Sequence, residues 1–196
     1  TLDRVIRQQF RIAEGDPFNA REIRESAERI RALDFFATAD VNAREGSEAD
    51  QVVVDVNVVE KPTGALRFGG TYSTDNGFGA VVNFSERNFL GRGQTVGVSF
   101  STAAEFKDYS FTFIEPAFLG RDLAFGLQAA YKQNEPDVAR WANTLGLIEP
   151  SLSFPVSENG RLKLNYRLRS VDMELDSTDL IAGSLIDTEG GSGRLW

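Results

Sequence analysis

A chain of 196 residues has room for one or two domains, and its net charge of −8 with a pI near 4.7 argues against a nucleic-acid partner. It holds no cysteine and no histidine, which excludes disulfides, thiol nucleophiles, histidine bases and nearly every zinc, haem or iron–sulfur site. It also has no apolar run of about 18 residues, so no transmembrane helix is expected.

The chain starts at Thr1, inside a helical pattern, and reads as a fragment or processed product. A first helix, roughly 2–10, carries Val5, Ile6 and Phe10. Asn19 followed by Glu22 resembles a capping box, and Ile23, Ala27, Ile30 and Leu33 then recur at helical spacing. Arg21, Arg24, Glu25, Glu28 and Arg29 fill the opposite face. DFFATADVNARE predicts a strand near 36–44, EGSEAD a turn, and QVVVDVNVVE a second strand with Val52, Val54, Val56 and Val58 on one face. A small α+β module in this order needs another strand, which would lie before Thr1.

Pro62 and Gly64 break that pattern, and the helical period vanishes after them. Seven strands are predicted at 65–73, 78–86, 95–102, 109–115, 122–132, 143–155 and 161–172, each alternating apolar with small or polar residues. Leu66, Phe68, Gly70 and Tyr72 share one face of the first; Leu162, Leu164, Tyr166 and Leu168 share one face of the seventh. The sixth slips phase around Leu147-Ile148, which a bulge or Pro150 accounts for.

The pattern Glu-x-x-Phe-Leu-Gly-Arg occurs at 86–92 and again at 115–121, 29 residues apart. Two strands of about ten residues and their turns fill that interval, so the repeat marks the same end of successive hairpins. Gly160-Arg161 is a third mark, and its extra spacing falls in the polar stretch QNEPDVARWAN at the other end. Alternation alone suits a soluble meander, sandwich or lipocalin-like barrel. Short turns at one end, longer loops at the other, an aromatic-rich face and a polar face with Arg67, Lys132, Lys163, Arg167 and Arg169 favour an outer-membrane β-barrel. Ten residues at about 3.3 Å rise, tilted about 40°, span roughly 25 Å, the height of such a barrel's apolar band.

The stretches RIRALDFFATADV, VVVDVNVVEKPTG, FGGTYSTDNGFGA, SERNFLGRGQ and FIEPAFLGRD resemble the BamA family of outer-membrane assembly proteins, across the whole chain. The resemblance implies a partial last POTRA module (β-α-α-β-β, first strand missing) at 1–63. Residues 64–196 would be the N-terminal part of an all-β antiparallel barrel, about seven of sixteen strands. It implies a bacterial outer-membrane location with the POTRA module in the periplasm, and the assembly and insertion of unfolded outer-membrane clients, with neither enzymatic chemistry nor cofactor. The first barrel strand would be the edge of a lateral gate that templates client strands through Leu66, Arg67, Phe68, Gly69, Gly70, Thr71 and Tyr72. Gly69 and Gly70 either weaken that seam or relieve barrel curvature. RQQFRIAEG matches the POTRA segment that contacts the lipoprotein BamD, so Arg7 and Glu14 become partner contacts; other Bam lipoproteins, outer-membrane lipid and lipopolysaccharide are further partners implied. Phe89, Leu90, Phe118 and Leu119 would anchor the turns at the membrane interface. The alternative within the superfamily is a secretion transporter or channel of the TamA or two-partner type.

Rival readings of other residues are weaker. Glu86 and Glu115 precede equivalent turns, which argues for geometry rather than acid–base chemistry. Asp172, Glu174, Asp176, Asp179, Asp187 and Glu189 read as a solvated extracellular loop rather than a divalent-cation site. GGTYSTDNGFG lacks the spacing and the following helix of a phosphate loop.

Overall fold

The computed structural model describes residues 1–48, 51–74, 77–135, 141–157, 160–175 and 193–195. They fall into two compact units: unit 1 is Thr1–Gly64 together with Arg87–Gly93, and unit 2 is Ala65–Glu86 with Gln94–Trp196.

Unit 1 runs α1 (Asp3–Arg7), α2 (Ala20–Ala32), β1 (Phe36–Glu45) and β2 (Val52–Glu60). The first helix is shorter than its periodicity suggests. Asn19 caps α2, its Oδ1 accepting from the Arg21 and Glu22 amides at 3.0 and 3.4 Å. Ile23, Ser26, Ala27 and Ile30 form the buried stripe of that helix. Ser26 is satisfied there by Arg29, whose Nη2 donates to its Oγ at 2.8 Å, while Nε of the same arginine donates to the carbonyl of Gln9 at 2.7 Å. One guanidinium therefore fixes α2 against the chain leaving α1. The core joins Val5, Ile30, Phe35, Phe36 and Ala39, with Val41, Val56 and Val58 of the β1–β2 hairpin packed against it. Burial of Ile30 contributes on the order of 1.5–3 kcal/mol. Val52, at the start of β2, is exposed instead.

Unit 2 carries an antiparallel meander of β3 (Gly64–Ser73), β4 (Gly77–Phe89), β5 (Gln94–Ala103), β6 (Phe106–Glu115), β7 (Ala124–Asn134) and β8 (Trp141–Ser157), followed by β9 (Gly160–Asn165), β10 (Leu168–Leu175) and β11 (Gly193–Leu195). Among the described residues the sheet is open, with β3 at one edge and β11 at the other. All seven predicted strands exist, and the seventh is divided into β9 and β10. Both pair with β8 in one register across the division, Ser151 opposite Asn165 and Ile148 opposite Leu168, and that register shifts only near the turn, between Pro155 and Ser157. The division has a chemical cause. Pro150 faces Tyr166 and accepts its amide at 3.0 Å, but has no N–H to return.

No bulge interrupts β8 at Leu147-Ile148, since its register with β7 is constant from Asn143 to Ser153. The apparent slip of phase is instead a run of apolar residues, Leu145 and Leu147, on the otherwise polar face. Asp172 and Glu174 belong to β10 rather than to a loop; Asp176, Asp179, Asp187 and Glu189 lie outside the described residues.

Candidate functional site

Strand β3 is exposed along its whole length, and among the described residues it has one neighbouring strand, β4. Leu66, Phe68 and Tyr72 stand on one face, and Phe68 is 81% exposed. Arg67, Gly69 and Thr71 alternate with them. Among the described residues no close neighbour explains the two glycines. A Cβ on Gly69 would meet nothing within 4 Å, and one on Gly70 would meet only the Gly79 carbonyl oxygen at 3.7 Å. Across the pair the opposite holds. A Cβ on Gly79 of β4 would lie 2.7 Å from Thr71 Oγ1 and 2.8 Å from the Thr102 carbonyl oxygen. The absence of a side chain is required at Gly79 and optional at Gly69.

The repeated Phe-Leu-Gly-Arg segments adopt one backbone conformation. Leu90 and Gly91 have φ of 55° and 70°, Leu119 and Gly120 of 58° and 71°. Arg92 N donates to Phe89 O at 3.1 Å, and Arg121 N to Phe118 O at 3.2 Å. Two successive positive φ values closed by that bond are the φ signature of a type I′ turn. Glycine fits its position at no cost; leucine does not, and a side chain in this region costs roughly 1–2 kcal/mol. Both leucines are nonetheless held there with their side chains 68% and 77% exposed. Phe89 and Phe118 are half-buried, Phe118 packing 5.2 Å from Phe125.

In unit 1 the structure brings Arg7 and Glu14 together. Arg7 Nη1 lies 2.5 Å from Glu14 Oε1, while Nε of the same side chain bonds Asp3. Asp3 first, and Glu14 second, raise the arginine's pKa above its ordinary value. All three groups are exposed, so the pair contributes little to stability and presents a mixed-charge surface.

Sequence reasoning missed the anchorage of the turn 87–93 within unit 1. Leu2 N donates to Gly91 O at 2.7 Å, and Asn88 Nδ2 donates to Thr1 Oγ1 at 2.8 Å. Asp34 accepts from both Lys61 and Arg87. Gly93 is buried against Val5, where a Cβ would meet Cγ1 at 3.2 Å. The one local signal was Asp34 just past the last turn of α2, at φ 59°, since aspartate tolerates that region better than most residues.

The faces of unit 2 are chemically distinct. One carries polar pairs: Ser99 Oγ to Asn83 Oδ1 at 2.6 Å, Lys132 to Asp108 at 2.9 Å, Arg161 to Asp122 at 2.7 Å, and Glu149 with Asn165 and Arg167. The other carries most of the large apolar side chains, Leu145 and Leu147 being exceptions. Toward its loop end stand an aromatic pair on β3–β4, Tyr72 lying 4.8 Å from Phe78, and an aromatic row over β5–β7, Phe100 lying 5.6 Å from Tyr109 and Tyr109 6.0 Å from Tyr131. An aromatic belt on an apolar face, with charge on the other, is the layout of a transmembrane barrel wall.

Comparison with known proteins agrees. A family model described as the Omp85 superfamily domain matches residues 88–188, and one described as POTRA, surface antigen variable number repeat, matches residues 1–61. The chain is 30% identical over 190 residues to the outer membrane protein assembly factor BamA of Nitratidesulfovibrio vulgaris, covering 97% of this chain and 24% of that protein. It is 27% identical over 190 residues to BamA of Neorickettsia risticii, covering 94% and 25%. In fold it resembles the crystal structure of BamA from Haemophilus ducreyi lacking POTRA domains 1–3, with a TM-score of 0.73 and 20% identity over 96% of this chain and 36% of that one. The chain thus spans about a quarter of the length of these curated relatives.

Proposed function

The chain belongs to the BamA family of the Omp85 superfamily, and from that membership we propose that it is part of an outer-membrane protein assembly factor which templates client strands at β3. The observation that supports this reading is the place of β3 at an edge of the described sheet, directly after the module at 1–63. In a bilayer the backbone groups along such an edge must find a partner, because each unsatisfied group costs several kcal/mol. The closing strand of the same barrel and an incoming client strand supply the same hydrogen bonds, so exchange between them is close to neutral. Gly69 and Gly70 of the edge lower strand stability without being sterically required, which suits a seam that opens. The work is strand pairing, with no covalent chemistry and no cofactor.

The remaining roles follow from the same reading. The module at 1–63 faces the periplasm, and its Arg7–Glu14 surface docks a BamD-like lipoprotein, with other Bam lipoproteins on neighbouring surfaces. Leu90 and Leu119 reach into lipid at the periplasmic interface while Phe89 and Phe118 brace the turns from the wall side. Outer-membrane lipid and lipopolysaccharide surround the apolar face.

The test places single cysteines along 66–72 of the whole protein that carries this chain. Crosslinks to the terminal strand of a stalled client should follow an i, i+2 registry. Crosslinks concentrated on the polar face of β9 and β10 would reject templating and favour transit through a pore, as in the transporters of the superfamily. In parallel, reversing the charge of both Arg7 and Glu14 should weaken co-purification of the lipoprotein without unfolding the barrel, and undiminished co-purification would remove that role.

A further inference from the structure

The apolar face of unit 2 is unevenly covered. The aromatic row that runs through Phe100, Tyr109 and Tyr131 stops at β7. Opposite Tyr131 on β8 stands Gly146, and opposite Gly146 on β10 stands Ser170. Where two more rings would continue the belt there are two of the smallest side chains. One level nearer the turns, Ile148 faces Ala129 on one side and Leu168 on the other. The result is a groove of about 680 Å³ in which Phe111, Tyr131, Ile148 and Leu168 stand around the low floor of Ala129 and Gly146.

We propose that this groove holds one acyl chain of a membrane lipid, in the leaflet at the loop end of the sheet. The inference rests on the reading that this face meets the bilayer. Its lining is aliphatic and aromatic, so an occupant gains by dispersion and by leaving water rather than by hydrogen bonding. The groove is continuous with the apolar face, so in a membrane its neighbour is hydrocarbon. Left unfilled, its walls would lose contacts on one side. At the loop-end rim stand the phenols of Tyr109 and Tyr131, and Tyr131 Oη donates to Gln133 Oε1 at 3.2 Å. A ring that packs on hydrocarbon with its hydroxyl toward polar groups marks the headgroup level, which orients the chain with its tail toward Ile148 and Leu168. Side chains larger than Gly146 and Ser170 would close the groove. A Cβ on Gly146 would lie 3.9 Å from that of Ser170, so a substitution there fits the backbone and fills the slot.

The experiment reconstitutes the whole protein in phosphatidylethanolamine vesicles containing a phosphatidylcholine with a photoreactive diazirine on one acyl chain, and maps the labelled peptides. Label should be enriched several-fold on segments 129–131, 146–148 and 168–170 relative to Val82 and Leu164 elsewhere on the same face. Gly146→Leu, and separately Ser170→Leu, should remove the enrichment while the band of the folded barrel persists on unheated gels. Equal labelling across the apolar face would overturn the proposal and leave the membrane reading standing. Enrichment that survives both substitutions would overturn it as well. Labelling confined to the polar face would overturn both.

Discussion

Arg87 Nη1 lies 2.8 Å from one carboxylate oxygen of Asp34, and Lys61 Nζ bonds the other. Residues 27 and 53 positions away thus converge on one side chain just past the end of α2. The Lys61 ammonium first, and the Arg87 guanidinium second, hold that carboxyl below its ordinary pKa.

A depressed carboxyl stabilises the fold fully above its ordinary value, and the contribution disappears as pH falls through the lower folded value. The anchorage of the turn 87–93 should therefore be constant through neutral pH and loosen only in the acid range below that of an ordinary aspartate. Asp34→Asn keeps a residue that tolerates φ 59° and removes the charge. Exchange of the Leu2 amide, which donates to Gly91, should accelerate in this variant at pH 7 and lose its acid dependence. Identical exchange profiles for both proteins would show that the ion pairs are decorative.

The strained leucines separate stability from anchoring. In Leu119→Asn the residue accepts its left-handed backbone more readily, so stability in detergent should rise by up to about 1 kcal/mol. Under the interface reading the same variant should insert more slowly into lipid vesicles, because its apolar side chain is gone. A loss of stability in detergent would mean that Leu119 packs within the protein. The two turns should also differ at glycine. Ala at Gly120 meets only the cost of its φ, whereas Gly91→Ala would also bring a methyl 3.3 Å from the Thr1 Cα.

The phase of the sheet is open to a direct test in β9. Leu164→Arg places a charge on the apolar face and should cost about 2–4 kcal/mol if that position is near the midplane of the bilayer. Asn165→Arg lies on the polar face beside Glu149 and should be tolerated. Urea midpoints of the whole protein folded into vesicles measure both, and equal costs would contradict the assignment of faces.

Much of this was legible in the sequence because period two is a local signal. Leu162, Leu164, Tyr166 and Leu168 declare a face without reference to any other strand. The two Phe-Leu-Gly-Arg segments declare a repeated turn, and the structure adds that Leu shares the left-handed backbone with Gly. What stayed hidden was non-local. The division between Asn165 and Leu168 originates in the missing N–H of Pro150 on another strand. Asp34, Lys61 and Arg87 have no common spacing. Leu145 and Leu147 read as a slip of phase because apolar residues on both faces of one strand mimic a shifted register.

The glycines of the first hairpin give the sharpest separation of fold from function. Gly79 is hemmed in: a methyl there would lie 2.7 Å from Thr71 Oγ1 and 2.8 Å from the backbone carbonyl of Thr102. The threonine side chain can rotate away, but the carbonyl cannot without moving β5. Gly79→Ala should therefore destabilise the barrel by about 1–3 kcal/mol, as overpacked sites do. Gly69 has open space on its strand, so Gly69→Val adds a β-branched residue that suits a pleated edge. That substitution should leave stability unchanged or raise it by up to about 1 kcal/mol. If β3 is the edge that exchanges its partner strand, a firmer edge releases that partner less readily. Gly69→Val should then slow client assembly in reconstituted vesicles while the protein itself becomes harder to unfold. Stability and assembly rate moving in opposite directions at Gly69, and together at Gly79, is the signature of a seam whose weakness is used. Unaltered assembly in a demonstrably stabilised Gly69→Val protein would place client pairing elsewhere on the sheet.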